Sequence, residues 1–106
     1  MIPDTTAAQI EALHALCQRF AVERLELFGS ASTGAFDPSR SDLDFAVEFQ
    51  RTRRAGISGR FEQYFGFREA LSALFQRPVD LVEPAAIRNP IFRQALDETK
   101  RLLYAA

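Results

Sequence analysis

The stretch LFGSASTGAFDPSRSDLDFAV, residues 27–47, decides the fold. Asp42 and Asp44 stand two apart at the mouth of an apolar run, Phe45-Ala46-Val47, with Gly29-Ser30 upstream. Alternate residues of a strand share a face. A strand over 42–49 therefore puts Leu43, Phe45, Val47 and Phe49 on one side, and Asp42, Asp44, Ala46 and Glu48 on the other. Carboxylates two residues apart on a strand are about 6.5–7 Å from each other. They repel by on the order of 2 kcal/mol at an effective dielectric of about 20. A cation between them reverses the sign. Mg²⁺ suits the role, because it takes oxygen ligands and joins a few carboxylates to substrate phosphates.

Outward from this stretch, residues 24–28 alternate and read as a strand that stops at Gly29. Residues 30–34 are small and polar, suited to a tight turn and one short helical turn, and Asp37-Pro38 marks a loop. At the N-terminal side, Thr5 or Thr6 can cap a helix whose apolar stripe is Ile10, Leu13, Leu16, Cys17 and Phe20. Beyond the second strand, 50–59 is a basic loop with two glycines. The pattern over 60–75 is helical, with Phe61, Tyr64, Phe65, Leu71, Leu74 and Phe75. Gly66 weakens that helix by up to ~1 kcal/mol against Ala and marks a kink or a close contact. Arg77-Pro78 ends it, and 79–82 is a third strand. Pro84 begins a turn or short helix, Asn89-Pro90 is a second break, 91–99 is a last helix, and 102–104 suit a short closing strand. The expected fold is α+β: a mixed sheet with helices packed mainly on one face and the active site on the other.

The bulk numbers agree with one domain over 1–106, since 106 residues with 47% apolar and 25% charged side chains are the mix of an ordinary globule. A net charge of −1 argues against general nucleic-acid binding. A local basic cluster remains at Arg51, Arg53, Arg54 and Arg60, most simply a solvated surface segment. One cysteine excludes an internal disulfide, and one histidine leaves no Cys/His set for structural zinc. His14 reads as a neighbour of the apolar stripe and Cys17 as a small buried apolar group. No apolar run reaches the ~20 residues of a membrane span, and the N-terminus lacks the pattern of a signal peptide. A cytoplasmic location without membrane contact is expected.

Asp80 extends the carboxylate pattern. Val79 and Leu81 face the core, so Asp80 faces the side assigned to Asp42 and Asp44. If the two strands are neighbours, three carboxylates meet on one open face and can hold two metal ions. A strand that ends in Gly29-Ser30 and turns into a short helix leaves backbone N–H groups for phosphate, and Gly29 lets a phosphate approach the chain. Each part alone is ordinary. The ordered combination is not.

That combination, "LFGSASTG", then "SDLDFAV", then "RPVDLVEPAAIRNP", resembles the minimal nucleotidyltransferase (MNT) family of the DNA polymerase β-like superfamily, from about Val22 onward. The resemblance implies transfer of a nucleoside monophosphate from an NTP to a hydroxyl with Mg²⁺. It implies Asp42, Asp44 and Asp80 as catalytic and metal-binding residues, and Gly29 and Ser30 as nucleotide-binding residues. Many such small proteins are antitoxins of HEPN/MNT toxin–antitoxin systems, and some AMPylate a tyrosine of the HEPN toxin. The expected function is therefore AMP transfer from ATP to a hydroxyl of a HEPN toxin. The alternative is a catalytically weak module that neutralises the toxin by contact, through the apolar sector of the 60–75 helix. Transfer to a small molecule or an RNA end is a third class, and the short chain leaves little room for such an acceptor pocket. One departure stands out. Family members often read Gly-Ser-Arg-Ala-Arg-Gly, whereas this chain reads Gly29-Ser30-Ala31-Ser32-Thr33-Gly34. Both arginines are absent, and Arg40 or the basic loop are the candidates to replace them.

Overall fold

The computed structural model describes residues 5–29, 42–50 and 59–106. Ser30, the short helical turn expected after it, Arg40 and residues 51–58 of the basic loop lie outside the described residues.

Helix α1 (Ala7–Arg19) begins at Thr6, whose hydroxyl accepts the Gln9 N–H at 3.1 Å while Gln9 Oε1 accepts the Thr6 N–H at 3.0 Å. This capping box satisfies donors that an α-helix start leaves unpaired. Leu13 and Cys17 are the buried members of the stripe. Burial pushes the Cys17 thiol up to about 12, so it stays an inert apolar filler. The His14 ring packs on Tyr104, with centroids 5.6 Å apart.

Four strands follow the alternation of the sequence: β1 (Val22–Phe28), β2 (Leu43–Phe49), β3 (Val79–Val82) and β4 (Arg101–Ala105). Their order in the sheet is β3-β2-β1-β4. β1 pairs antiparallel with β2 and β4, and β2 pairs parallel with β3. Parallel neighbours need a crossover, and helix α2 (Arg60–Phe75) is the element between β2 and β3. Helix α3 (Pro90–Thr99) follows a short 3-10 turn, Pro84–Ala86. The Asn89-Pro90 break is its cap: the Asn89 side chain accepts the N–H groups of Ile91 and Phe92, and Pro90 occupies the first turn.

The core lies between the sheet and helices α1 and α2. Leu25, Leu27, Leu43, Phe45, Val47, Val79 and Leu81 meet Leu13, Cys17, Phe67, Leu71 and Phe75 there. A smaller cluster on the opposite face joins Phe28 and Ala46 to Leu96 of α3. Two helices thus cover one face, as expected for this α+β fold, and α3 covers part of the other.

Gly66 marks a close contact: a Cβ there would come within 2.9 Å of Phe20 Cε1. The Phe20 ring is itself packed on Phe67, with centroids 5.7 Å apart. Gly66→Ala is therefore expected to destabilise by about 1 kcal/mol or more, although alanine favours an isolated helix by ~1 kcal/mol. A denaturant melt in which the variant matched or exceeded the parent would contradict this contact.

Candidate active site

The register of the sheet builds the site. Phe28 of β1, Asp44 of β2 and Asp80 of β3 are directly opposite one another, one row across three strands. The next row, Leu27, Phe45 and Leu81, is buried on the core side. Alternation therefore turns Asp44 and Asp80 to the same face, and their carboxyl groups hydrogen-bond to each other. Asp42 stands one residue before β2 and is exposed. Asp80 is exposed and Asp44 is half-buried.

Asp44 bears the electrostatic load of this arrangement. Loss of water, then the charge of Asp80, its hydrogen bond with Asp80 and the charge of Asp42 together push its carboxyl up to about 6. All four effects favour the neutral form. A divalent cation bound there would oppose them, because it would add positive charge beside the carboxylate.

The three carboxylates are not one closed set. Among the described residues no group of three or more His, Cys, Asp or Glu side chains forms a ready metal cage. The structure brings Asp44 and Asp80 together and places Asp42 beside them, at the mouth of a cavity of about 530 Å³ that it shares with Asp80. The donor set is carboxylate oxygen throughout, the kind that hard cations such as Mg²⁺ take. The residues fit such an ion, with the Asp44–Asp80 pair as its nucleus.

Gly29 sits at the end of β1 with φ +72°, and a Cβ on it would lie 2.6 Å from Asp44 Oδ2. Its N–H donates to Thr99 Oγ1 at 3.0 Å, and the Thr99 hydroxyl donates to Ala95 O at 3.0 Å. This N–H is among those the sequence leads one to expect at a phosphate. In the structure it ties β1 to α3, and the missing side chain leaves room for the Asp44 carboxylate. Thr99 was not legible as a site residue, since a threonine near a helix end carries no signal of its own.

A second cavity, about 290 Å³, lies over the Asp44–Asp80 pair and is walled by Phe28, Phe92, Tyr64, Arg68, Leu81 and Val82. Phe28 and Phe92 meet edge to face with centroids 6.0 Å apart. On the outer edge of β3, the Tyr64 hydroxyl donates to Leu81 O and Arg68 Nε donates to Val79 O. Burial raises the Tyr64 phenol above its ordinary value. Tyr64, Arg68 and Phe92 reach the site from two helices, and no spacing in the sequence announces that.

Comparison with known proteins follows the same lines. Residues 10–102 match the family model described as nucleotidyltransferase domain. The chain is 30% identical over 83 residues to MJ0128 of Methanocaldococcus jannaschii, named as a candidate protein adenylyltransferase, with 78% of each protein covered. A solved structure described as a candidate minimal nucleotidyltransferase is 28% identical, with a TM-score of 0.71 and 95% of each chain covered. A complex of a tri-AMPylated Shewanella oneidensis HEPN toxin with an MNT antitoxin aligns at 18% identity and a TM-score of 0.60, covering 93% of this chain and 71% of that one. At that identity it shows likeness of fold. No helix of the described residues is long and apolar enough to cross a membrane.

Proposed function

Because the chain belongs to the nucleotidyltransferase domain family, we propose that it moves AMP from ATP to a hydroxyl, a tyrosine of a partner HEPN toxin, and is that toxin's antitoxin. The single observation behind this reading is the row in which Asp44 and Asp80 share one face, with Gly29 packed against the Asp44 carboxylate. Asp42, Asp44 and Asp80 would hold magnesium, two ions in this reading, which when bound supplies positive charge to the nucleotide's phosphates. Gly29 and Ser30 are the nucleotide-binding residues of this reading, Ser30 through its hydroxyl. Exposed Asp80 accepts the proton of the acceptor hydroxyl. The acceptor oxygen bonds to the α-phosphorus, the bond from that phosphorus to the β-phosphate oxygen breaks, and pyrophosphate leaves. Positioning and charge supply most of the rate gain in such transfers. The choice of AMP and of a HEPN partner is supported by the names of the M. jannaschii relative and the Shewanella complex.

A second reading has one observation in its favour. Phe61 is 76% exposed and Phe65 40% exposed, with ring centroids 4.5 Å apart on α2. Such a pair suits neutralisation by contact without catalysis.

Incubation with each NTP, Mg²⁺ and the product of the neighbouring gene, followed by intact mass, tests both. A mass gain of AMP on the partner with ATP and metal, and none without metal, is the expected result. No mass gain with any NTP, together with full neutralisation, would establish the contact reading instead.

A further inference from the structure

Arg68 and Asp80 line both cavities, one over the carboxylate face and one at the edge between β3 and α2. The acidic residues in those walls are Asp42, Asp44, Glu69 and Asp80, and among the described residues Arg68 is the one cation. The larger cavity presents three carboxylates, Asp42, Glu69 and Asp80, and the smaller two, Asp44 and Asp80, so a polyphosphate in either needs positive charge from the chain as well as from metal. We propose that Arg68 is a phosphate-contacting residue of this site and supplies, from helix α2, the guanidinium that the Gly29–Gly34 segment lacks. This rests on the nucleotide-transfer reading above.

Three observations carry it. The Arg68 Nε donates to Val79 O at 3.3 Å, which anchors the guanidinium to the outer edge of β3 next to Asp80. Among the described residues its two Nη groups carry no hydrogen bond or ion pair. That forked end is the part of arginine that matches two phosphate oxygens at once. Finally, Arg68 is on a helix tied to β3 a second time, one turn earlier, by the Tyr64 hydroxyl on Leu81 O. A cation held at two points of a rigid edge loses little further freedom on meeting phosphate. The sequence between Gly29 and Gly34 reads Ser30-Ala31-Ser32-Thr33 and contains no arginine, which leaves that role open.

The test uses the full chain, Arg68→Gln and Arg68→Lys, and two probes: Mn²⁺ alone, and AMP-PNP with Mn²⁺. Mn²⁺ reads the carboxylates, and AMP-PNP reads the phosphate contacts. Arg68→Gln is expected to bind AMP-PNP about tenfold more weakly or worse, with Mn²⁺ affinity unchanged or higher. Arg68→Lys, which keeps the charge but not the fork, falls between. If Arg68→Gln does not fold, Arg68→Lys decides by the same comparison. AMP-PNP binding equal to the parent overturns the role of Arg68 and leaves nucleotide transfer standing. A parallel loss of Mn²⁺ and AMP-PNP binding also overturns it, because Arg68 then acts only by holding β3 and Asp80 in place. A parent chain that binds Mn²⁺ but no AMP-PNP ends the nucleotide reading itself, and the role of Arg68 with it.

Discussion

Asp44→Asn is expected to lower AMP transfer by about 10³-fold or more while raising the melting temperature of the metal-free protein at pH 7. The two effects have one cause. Asp44 is half-buried, pressed against Asp80 and near Asp42, and its carboxyl is pushed up to about 6 from an ordinary 3.8. The stability linked to this group is fully present below 3.8 and is lost as pH rises through about 6. At pH 7 without metal the folded chain therefore holds a charge that the unfolded chain carries more comfortably. Asparagine keeps the shape and removes that charge. The variant should melt above the parent at pH 7, and the difference should close as pH falls toward 4. Adding Mg²⁺ should raise the melting temperature of the parent and leave the variant nearly unmoved. A variant that melts at or below the parent at pH 7 without metal would show that Asp44 is not held against its charge.

Gly29→Ala is the second change with a large expected effect, and it damages chemistry more than stability. The left-handed backbone at φ +72° costs any L side chain about 1–2 kcal/mol, or roughly 4–8 °C of melting temperature per kcal/mol in a small domain. The new Cβ would sit 2.6 Å from Asp44 Oδ2, too close to remain. That oxygen is the far end of a side chain, so the clash is relieved when Asp44 swings away. The swing removes Asp44 from its pairing with Asp80. Transfer should drop by about 10²-fold or more, at temperatures where the variant is still fully folded by circular dichroism. Gly29→Ala activity within a few-fold of the parent would mean that the position of Asp44 does not matter.

The elements themselves were legible because each rests on local physics. The capping hydroxyl at Thr6, the helical stripe through Leu13 and Cys17, the alternation over β2 and the break at Asn89-Pro90 all appear where the spacing puts them. The last strand, marked only by Leu102-Leu103-Tyr104, extends over Arg101–Ala105. The site was legible in part. The shared facing of Asp44 and Asp80 follows from period-two alternation, and the structure bears it out. The gathering of all three carboxylates does not follow from alternation, because Asp42 lies just outside the strand that would orient it. The Gly29 N–H, at the end of a strand and open by local pattern, is bonded by Thr99, seventy positions away.

From the sequence alone, then, came the order of helices and strands, the core face of each strand, and the side on which Asp44 and Asp80 stand. These depend on backbone periodicity and on neighbours within a few residues. Only tertiary structure decided that Asp44 lies opposite Asp80 and Phe28, that α3 covers part of the carboxylate face, and that Arg68 reaches the site over the edge of β3. A parallel register is set by how α2 packs while carrying the chain from β2 to β3, and α3 docks by burying Leu96 against Phe28 and Ala46. Both are contacts between distant parts of the chain, and short-range spacing carries no information about them.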